Sequence, residues 1–247
     1  MSTQNIQWYP GHIAKSEKQL TKNLEKVDLV IEVRDARIPQ ATSHPHLNKW
    51  IKGKKHLLVI NREDMILSKT QNRWNKWFHS NGITPLWCNA RDGKGVSLIL
   101  QEATKAGIEI NERRKDRGML NRPIRALTLG FPNVGKSALI NRLAGKRVVE
   151  SARRAGVTRS LRWVRMGKKL DLLDAPGVLP PRLDNQIAAL KLAICDDIGQ
   201  GAYDVESVAI GFLQMVLELR SNVESGVNIN FLEKRYGVSF TKEKDVR

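Results

Sequence analysis

Short apolar runs rich in β-branched residues recur along the first three-quarters of this chain, bounded by turn and polar signals. They are Val27–Val33, Leu57–Ile60, Pro85–Asn89, Ile124–Gly130, Leu161–Arg165 and Leu170–Leu173, and their length and composition predict strands. Helix-length stretches lie between many of them: Thr70–Asn81, Gly95–Ala106 and Lys136–Leu143. Strands alternating with helices predict βαβ units, hence an α/β domain with a mainly parallel sheet and flanking helices. Gly107–Arg122 is polar and basic and ends at Pro123, which reads as a helix continuation followed by a linker. After Pro180-Pro181 the pattern changes. Asn185–Ile194 and Val205–Leu219 are apolar at helical spacing with no strand signal, predicting a small all-helical C-terminal domain. The expected division is residues 1–179 and 180–247.

Composition narrows the setting. A chain of 247 residues, 41% hydrophobic, suits one large domain with a small appendage. No apolar run approaches the roughly 18 residues needed to cross a bilayer, and residues 1–13 lack the apolar core of a secretory signal. Cys88 and Cys195 are in no metal-ligand spacing, so a reducing, cytoplasmic setting with no membrane attachment is expected. Forty-two Lys and Arg against twenty-five Asp and Glu leave a charge of +17. Such an excess favours a polyanionic partner, and nucleic acid leads because no amphipathic membrane helix is evident. Trp50, Trp74, Trp77 and Trp87 read as packing residues rather than base-stacking ones.

Gly130-Phe131-Pro132-Asn133-Val134-Gly135-Lys136-Ser137 matches G-x-x-x-x-G-K-[ST], directly after one predicted strand and before a predicted helix. Glycines let backbone N–H groups close around phosphate oxygens, and the following helix points its positive end at the charge. Asn133, Val134, Gly135, Lys136, Ser137 and Ala138 are therefore the expected phosphate-side residues, with Lys136 reaching the β- and γ-phosphates and Ser137 ligating Mg²⁺. Leu170–Gly177 is an apolar strand ending in D-x-x-G, thirty-eight residues from Lys136 to Asp174. Asp174 is the expected Mg²⁺ partner there, Gly177 N–H the γ-phosphate sensor, and Asp171 a surface residue. Between the two motifs, Thr158 offers a further hydroxyl to Mg²⁺.

Asn61-Arg62-Glu63-Asp64 closes the run Leu57–Ile60 and resembles the guanine-reading N-K-x-D. The Asp64 carboxylate can accept from guanine N1–H and N2–H₂, donors that adenine does not offer in that pattern. Asn61 is expected at the base edge, tying loops together. Arg62 stands where Lys is usual, with a different donor geometry. Asn89-Ala90-Arg91 follows the next run, in the place of S-A-K, so that the Ala90 N–H would meet guanine O6. GTP and GDP are the nucleotides implied.

The order of these motifs is unusual: the base motif precedes the phosphate loop, where most GTPases have the reverse. That order resembles the circularly permuted GTPases. Trp8–Lys15 (WYPGHIAK) and Asp35–Pro39 (DARIP) resemble the YlqF/RbgA family of ribosome-biogenesis GTPases, over about residues 6–195. The resemblance implies a permuted P-loop GTPase domain, Mg²⁺-dependent GTP hydrolysis, and association with rRNA and the large ribosomal subunit precursor; a monomer is expected. The family's helical domain is usually longer than residues 180–247. The water-orienting glutamine of Ras-type enzymes has no equivalent, since Val178 and Leu179 follow D-x-x-G. The resemblance places His12 in that role, and it likens Asn133 to the asparagine that binds K⁺ in cation-dependent GTPases. With Lys136, Thr158 and Gly177, His12 completes the expected catalytic set. An alternative is a nucleotide-gated RNA-binding module with negligible intrinsic hydrolysis. A third, a GTPase of membrane or tRNA-modification systems, is disfavoured by the permuted order.

Overall fold

In the computed structural model of this chain, the described residues are 6, 20–150, 161–167, 169–177, 179–180, 183–221 and 230–237. The most apolar run forms the centre of the sheet. β1 (Leu29–Asp35) is buried at all seven positions, as a strand covered on both faces must be. It pairs in parallel with β2 (Lys55–Asn61) and with β4 (Ile124–Leu129). β3 (Leu86–Trp87) adds to β2, and β6 (Leu170–Asp174) adds to β4, both in parallel. The order is β3-β2-β1-β4-β6-β5, where β5 is Arg162–Met166.

The expected α/β domain is borne out, and the strands differ from the expected runs only at their ends. β5 departs in direction, because it pairs antiparallel with β6. Only three residues separate Met166 from Leu170, with Gly167 at φ +65°, and so short a connection permits only a hairpin.

Helices cover the sheet. Val30, Leu127, Leu129 and Leu173 join Leu20, Leu24, Leu47 and Trp50 in one buried cluster. Leu58 and Ile60 meet Phe78 of the helix Ser68–Ser80. Helices Val96–Lys115 and Lys136–Leu143 pack on the strands through residues such as Ile99, Leu139 and Ile140, each fully buried. Burying each such side chain contributes about 1.5–3 kcal/mol. The helix Val96–Lys115 runs well beyond the expected Ala106, because Gly107 lies close against the Ile124 side chain and keeps the packed face continuous.

The described residues fall into two compact units that meet in sequence between Pro180 and Leu183, with Ile6 in the second. The second unit contains helices Gln186–Ile194, Val205–Ser221 and Asn230–Tyr236 and, among the described residues, no strand. Asn185 caps the first helix by accepting from the Ala188 N–H at 2.9 Å, and Asp204 accepts from the Ser207 N–H at 2.8 Å at the start of the second. Leu190 rests against Gly211, where a Cβ would lie 3.0 Å from its methyls. Leu232 packs with Phe212, Leu213, Val216 and Leu217. No helix among the described residues is long and apolar enough to cross a membrane.

Candidate functional site

Four parallel strands deliver the motifs, because their carboxyl ends lie on one side of the sheet. β1 ends at Asp35, β2 at Asn61 and β6 at Asp174, and β4 runs into the loop Gly130–Gly135. Asn61, only 3% exposed, joins its own strand end to the phosphate loop and to the loop that follows β3. Its Nδ2 donates to the Val134 carbonyl at 2.8 Å, and its Oδ1 accepts from the Ala90 N–H at 3.0 Å. The approach is so close that a Cβ on Gly135 would lie 2.2 Å from Asn61 Nδ2, and Gly135 also holds φ +97°. Only glycine meets both demands.

The Ala90 N–H, expected at guanine O6, donates to Asn61 Oδ1 in this structure. A buried backbone donor takes the nearest acceptor, and Asn61 Oδ1 is that acceptor. Contact with the base therefore requires this amide to share or exchange its partner. Asn89 shapes the same loop, its Oδ1 accepting from the Arg91 N–H and its Nδ2 donating to Asp92, both at 2.9 Å. Arg142, on the helix that follows the phosphate loop, donates to the carbonyls of Ala90 and Arg91. Asp64 sits exposed on the turn Glu63–Met65.

Arg62 occupies the left-handed region at φ +65°, which suits the turn after β2. Its guanidinium bridges the Asp35 carboxylate at 2.6 Å and the Asn133 carbonyl of the phosphate loop. Asp35 is fully buried and also accepts from the Arg37 backbone N–H and guanidinium, at 2.8–3.0 Å. Two guanidiniums around one buried carboxylate compensate its desolvation. Arg62 thus does more than flank a base: it ties β1, the base turn and the phosphate loop together. Asp35 and Arg142 were not singled out as site residues. The DARIP motif pointed to the first, and nothing in the sequence pointed to the second.

Lys136 is buried and folds back over its own loop, its Nζ donating to the carbonyls of Gly130 at 3.1 Å and Phe131 at 2.6 Å. Asn133 holds φ +56°, a conformation asparagine tolerates. Ser137 and Ala138, both half-buried, open the following helix. Asp174 is 2% exposed, and its Oδ1 makes no hydrogen bond. Burial pushes its carboxyl up to about 6, against the opposing pull of the Lys136 charge. Thr128, its register partner on β4, likewise has a buried hydroxyl with no hydrogen bond. A Cβ on Gly177 would lie 2.6 Å from Pro132 N and Cα, so the D-x-x-G backbone rests directly on the phosphate loop. Asp171 is half-buried and faces Arg165 at 3.9 Å rather than standing free on the surface. His12, Thr158 and Val178 lie outside the described residues. Cys88, beside Asn61, is an unreactive thiol, because burial, Glu63 and Asp92 raise it to about 12.

Comparison with known proteins agrees with this arrangement. A family model described as 50S ribosome-binding GTPase matches residues 125–211. Ribosome biogenesis GTPase A of Bacillus licheniformis is 38% identical, over 86% of this chain and 75% of its own length. Probable ribosome biogenesis GTPase A of Mycoplasma genitalium is 31% identical, over 93% of this chain and 82% of its own. Among solved structures, GNP-bound YlqF from T. maritima covers 93% of this chain and 79% of its own at TM-score 0.61 and 22% identity. A GDP-bound YlqF structure covers 92% and 88% at TM-score 0.62 and 24% identity. With the base turn upstream of the phosphate loop on one parallel sheet, and with relatives this similar over most of their length, the chain belongs to the ribosome biogenesis GTPase A (YlqF/RbgA) family.

Proposed function

We propose that this protein binds GTP and GDP with Mg²⁺, hydrolyses GTP, and acts as an assembly factor that engages the large ribosomal subunit precursor and its rRNA in a nucleotide-dependent way. One observation carries the reading: Asn61 joins the base turn to the phosphate loop at 2.8 Å and to the Asn89–Arg91 loop at 3.0 Å. Three segments far apart in sequence thereby form one cradle, with Asp64 for the guanine edge and the helix N-terminus for phosphate. The relatives named as ribosome biogenesis GTPases and a charge of +17 support the ribosomal part. A cytoplasmic monomer fits this reading.

The acidic and hydroxyl groups fit Mg²⁺. The unbonded, buried Oδ1 of Asp174 is the kind of atom a cation or its water satisfies, and Ser137 opens the adjacent helix. Among the described residues no cluster of His, Cys, Asp and Glu forms an all-protein metal cage, which suits an ion held largely by phosphates and water. When bound, Mg²⁺ neutralises charge on the β- and γ-phosphate oxygens. Asp174 and Ser137, together with Thr158, would hold it. Lys136 would move from the loop carbonyls toward phosphate, and the Gly177 N–H would sense the γ-phosphate. His12 is the proposed water-orienting residue, since Val178 stands where glutamine would. The proposed K⁺ ligand is Asn133, whose backbone carbonyl is engaged by Arg62.

Val178 also favours a second reading, a nucleotide-gated binding module with negligible turnover. The test is GTP turnover and co-sedimentation with large ribosomal subunits, in GTP against GDP and in K⁺ against Na⁺. Stronger sedimentation in GTP and particle-stimulated turnover, faster in K⁺, are expected. Binding without stimulated turnover supports the second reading, and nucleotide-independent sedimentation removes the gating.

A further inference from the structure

The helix Ser68–Ser80 contains no acidic residue. Phe78 is fully buried beneath it against Leu58 and Ile60. On the other side Lys69, Arg73, Lys76, Trp77 and Ser80 are exposed. Their spacings of four, three, one and three residues place them in a single stripe spanning roughly 100° of the helix. None of the three cations pairs with an acidic side chain among the described residues.

Trp77, expected to be a packing residue, is 39% exposed. Its ring is set edge-on against Trp74 at 5.7 Å and Phe78 at 5.0 Å, so the open indole is braced from within. The helix itself is pinned to the nucleotide side. Gln71 Nε2 donates to Glu63 of the base turn at 3.4 Å, and Asn75 accepts from Trp87 Nε1 at 2.6 Å. A row of unpaired cations suits any polyanion. A fixed indole at the edge of that row, with Arg73 one turn away, suits a polyanion that also offers unstacked rings.

We propose that this stripe is a docking face for single-stranded RNA, with Lys69, Arg73 and Lys76 following the phosphodiester backbone and Trp77 stacking on an unpaired base. It rests on the reading of the protein as an RNA-particle-binding GTPase and places an RNA contact on the nucleotide-binding unit.

The test measures affinity for a short oligouridylate and for an RNA duplex of equal length, as a function of salt. Variants are K69Q/R73Q/K76Q, W77A and W77F, with fluorescent GDP binding and thermal melting as controls on the fold. The triple variant is expected to bind oligouridylate at least tenfold more weakly, with a log–log salt slope shallower by about 2, from three contacts at about 0.7 each. W77A should lose about five- to a hundredfold on the single strand and little on the duplex, and W77F should keep most of the affinity. A triple variant with wild-type affinity and slope overturns the face and leaves the RNA-binding reading standing elsewhere on the molecule. A wild type that binds neither RNA overturns both. Loss of binding to ribosomal particles with full affinity for free RNA would assign the stripe to an acidic protein and overturn it as an RNA face.

Discussion

Asp174 shows what burial does to one carboxylate. Its carboxyl is raised from 3.8 to about 6 by burial, only partly offset by Lys136. A raised folded pKa favours the protonated form, so the associated stability is complete below pH 3.8 and is lost as pH rises through about 6. Above that, ionised Asp174 costs on the order of 3 kcal/mol, two units at 1.36 each. Asp174→Asn should therefore stabilise the nucleotide-free protein at pH 8 by up to about that amount, with the gain shrinking toward pH 4. Urea unfolding of both forms across that range checks it, and a pH-independent difference would sink the assignment. The same variant should lose Mg²⁺-dependent nucleotide affinity. Asp174, Asn61 and Lys136 were legible in the sequence because phosphate and base recognition constrain residue type at fixed spacing. Thr128, Arg142 and the partnering of Asp35 with Arg62 were not, because they arise from which strand ends become neighbours. The Ala90 N–H was assigned to the base from its position in a motif. That the same donor also has a neighbouring acceptor, Asn61 Oδ1, is visible only in the folded chain.

β1 is the element on which the two halves of the permuted domain meet, with β2 on one side and β4 on the other. Its apolar character marked it as a strand, but besides the terminal Asp35 it carries two charged residues in its interior. Glu32 and Arg34 are 1% and 6% exposed and pair at 2.6 and 3.0 Å, with His56 Nε2 at 3.1 Å from the same carboxylate. Arg34 also donates to the Pro39 carbonyl at 3.4 Å, tying the strand to the loop behind the site. Burial pushes the Glu32 carboxyl up, yet His56 and Arg34 together outweigh it and hold it below the ordinary 4.5. Its contribution is thus present above pH 4.5 and lost as pH falls through the lowered value. Arg34→Met, which leaves the buried Glu32 with His56 as its one remaining partner of the two, should cost up to about 3–5 kcal/mol at pH 7. The double variant Glu32→Leu with Arg34→Met should cost far less, because the desolvation is removed together with the attraction. Chemical denaturation of both decides it, and a double variant at least as unstable as the single one would refute this account. Apolar periodicity could show where the strand lies, but it could not show that residues i and i+2 would neutralise each other inside it. Nor could it show that β5 runs antiparallel, which follows from a turn too short for a crossover.

At the scale of the whole molecule, permutation changes what lies beyond Gly177, the proposed γ-phosphate sensor. In this chain order the residues after Gly177 run, within a few positions, to Leu183, where the helical unit begins in sequence. The contact that would start any signal is visible: a Cβ at Gly177 would meet Pro132 N and Cα at 2.6 Å and Pro132 Cγ at 2.8 Å. Real Cβ atoms do not approach that closely, and the obstacle is partly backbone, so Gly177→Ala must displace either the D-x-x-G segment or the phosphate loop. The loop is held through Asn61 to Val134 and through Arg62 to Asn133. The displacement should therefore fall mainly on Gly177 and move its N–H away from the γ-phosphate position. GDP, which lacks that phosphate, should bind Gly177→Ala within a few-fold of wild type, whereas GTP affinity should drop at least tenfold. At saturating nucleotide, the variant should sediment equally with large ribosomal subunits in GTP and in GDP. Titration with fluorescent nucleotides gives the first pair of numbers, and sedimentation gives the second. If particle binding by Gly177→Ala still responds to GTP as in the wild type, the signal does not pass through this glycine, and a nucleotide-driven pull on the helical unit loses its structural basis. If the response vanishes while GDP binding persists, the reordering of the motifs has a use: the segment that senses the γ-phosphate is also the segment that leads to the second unit.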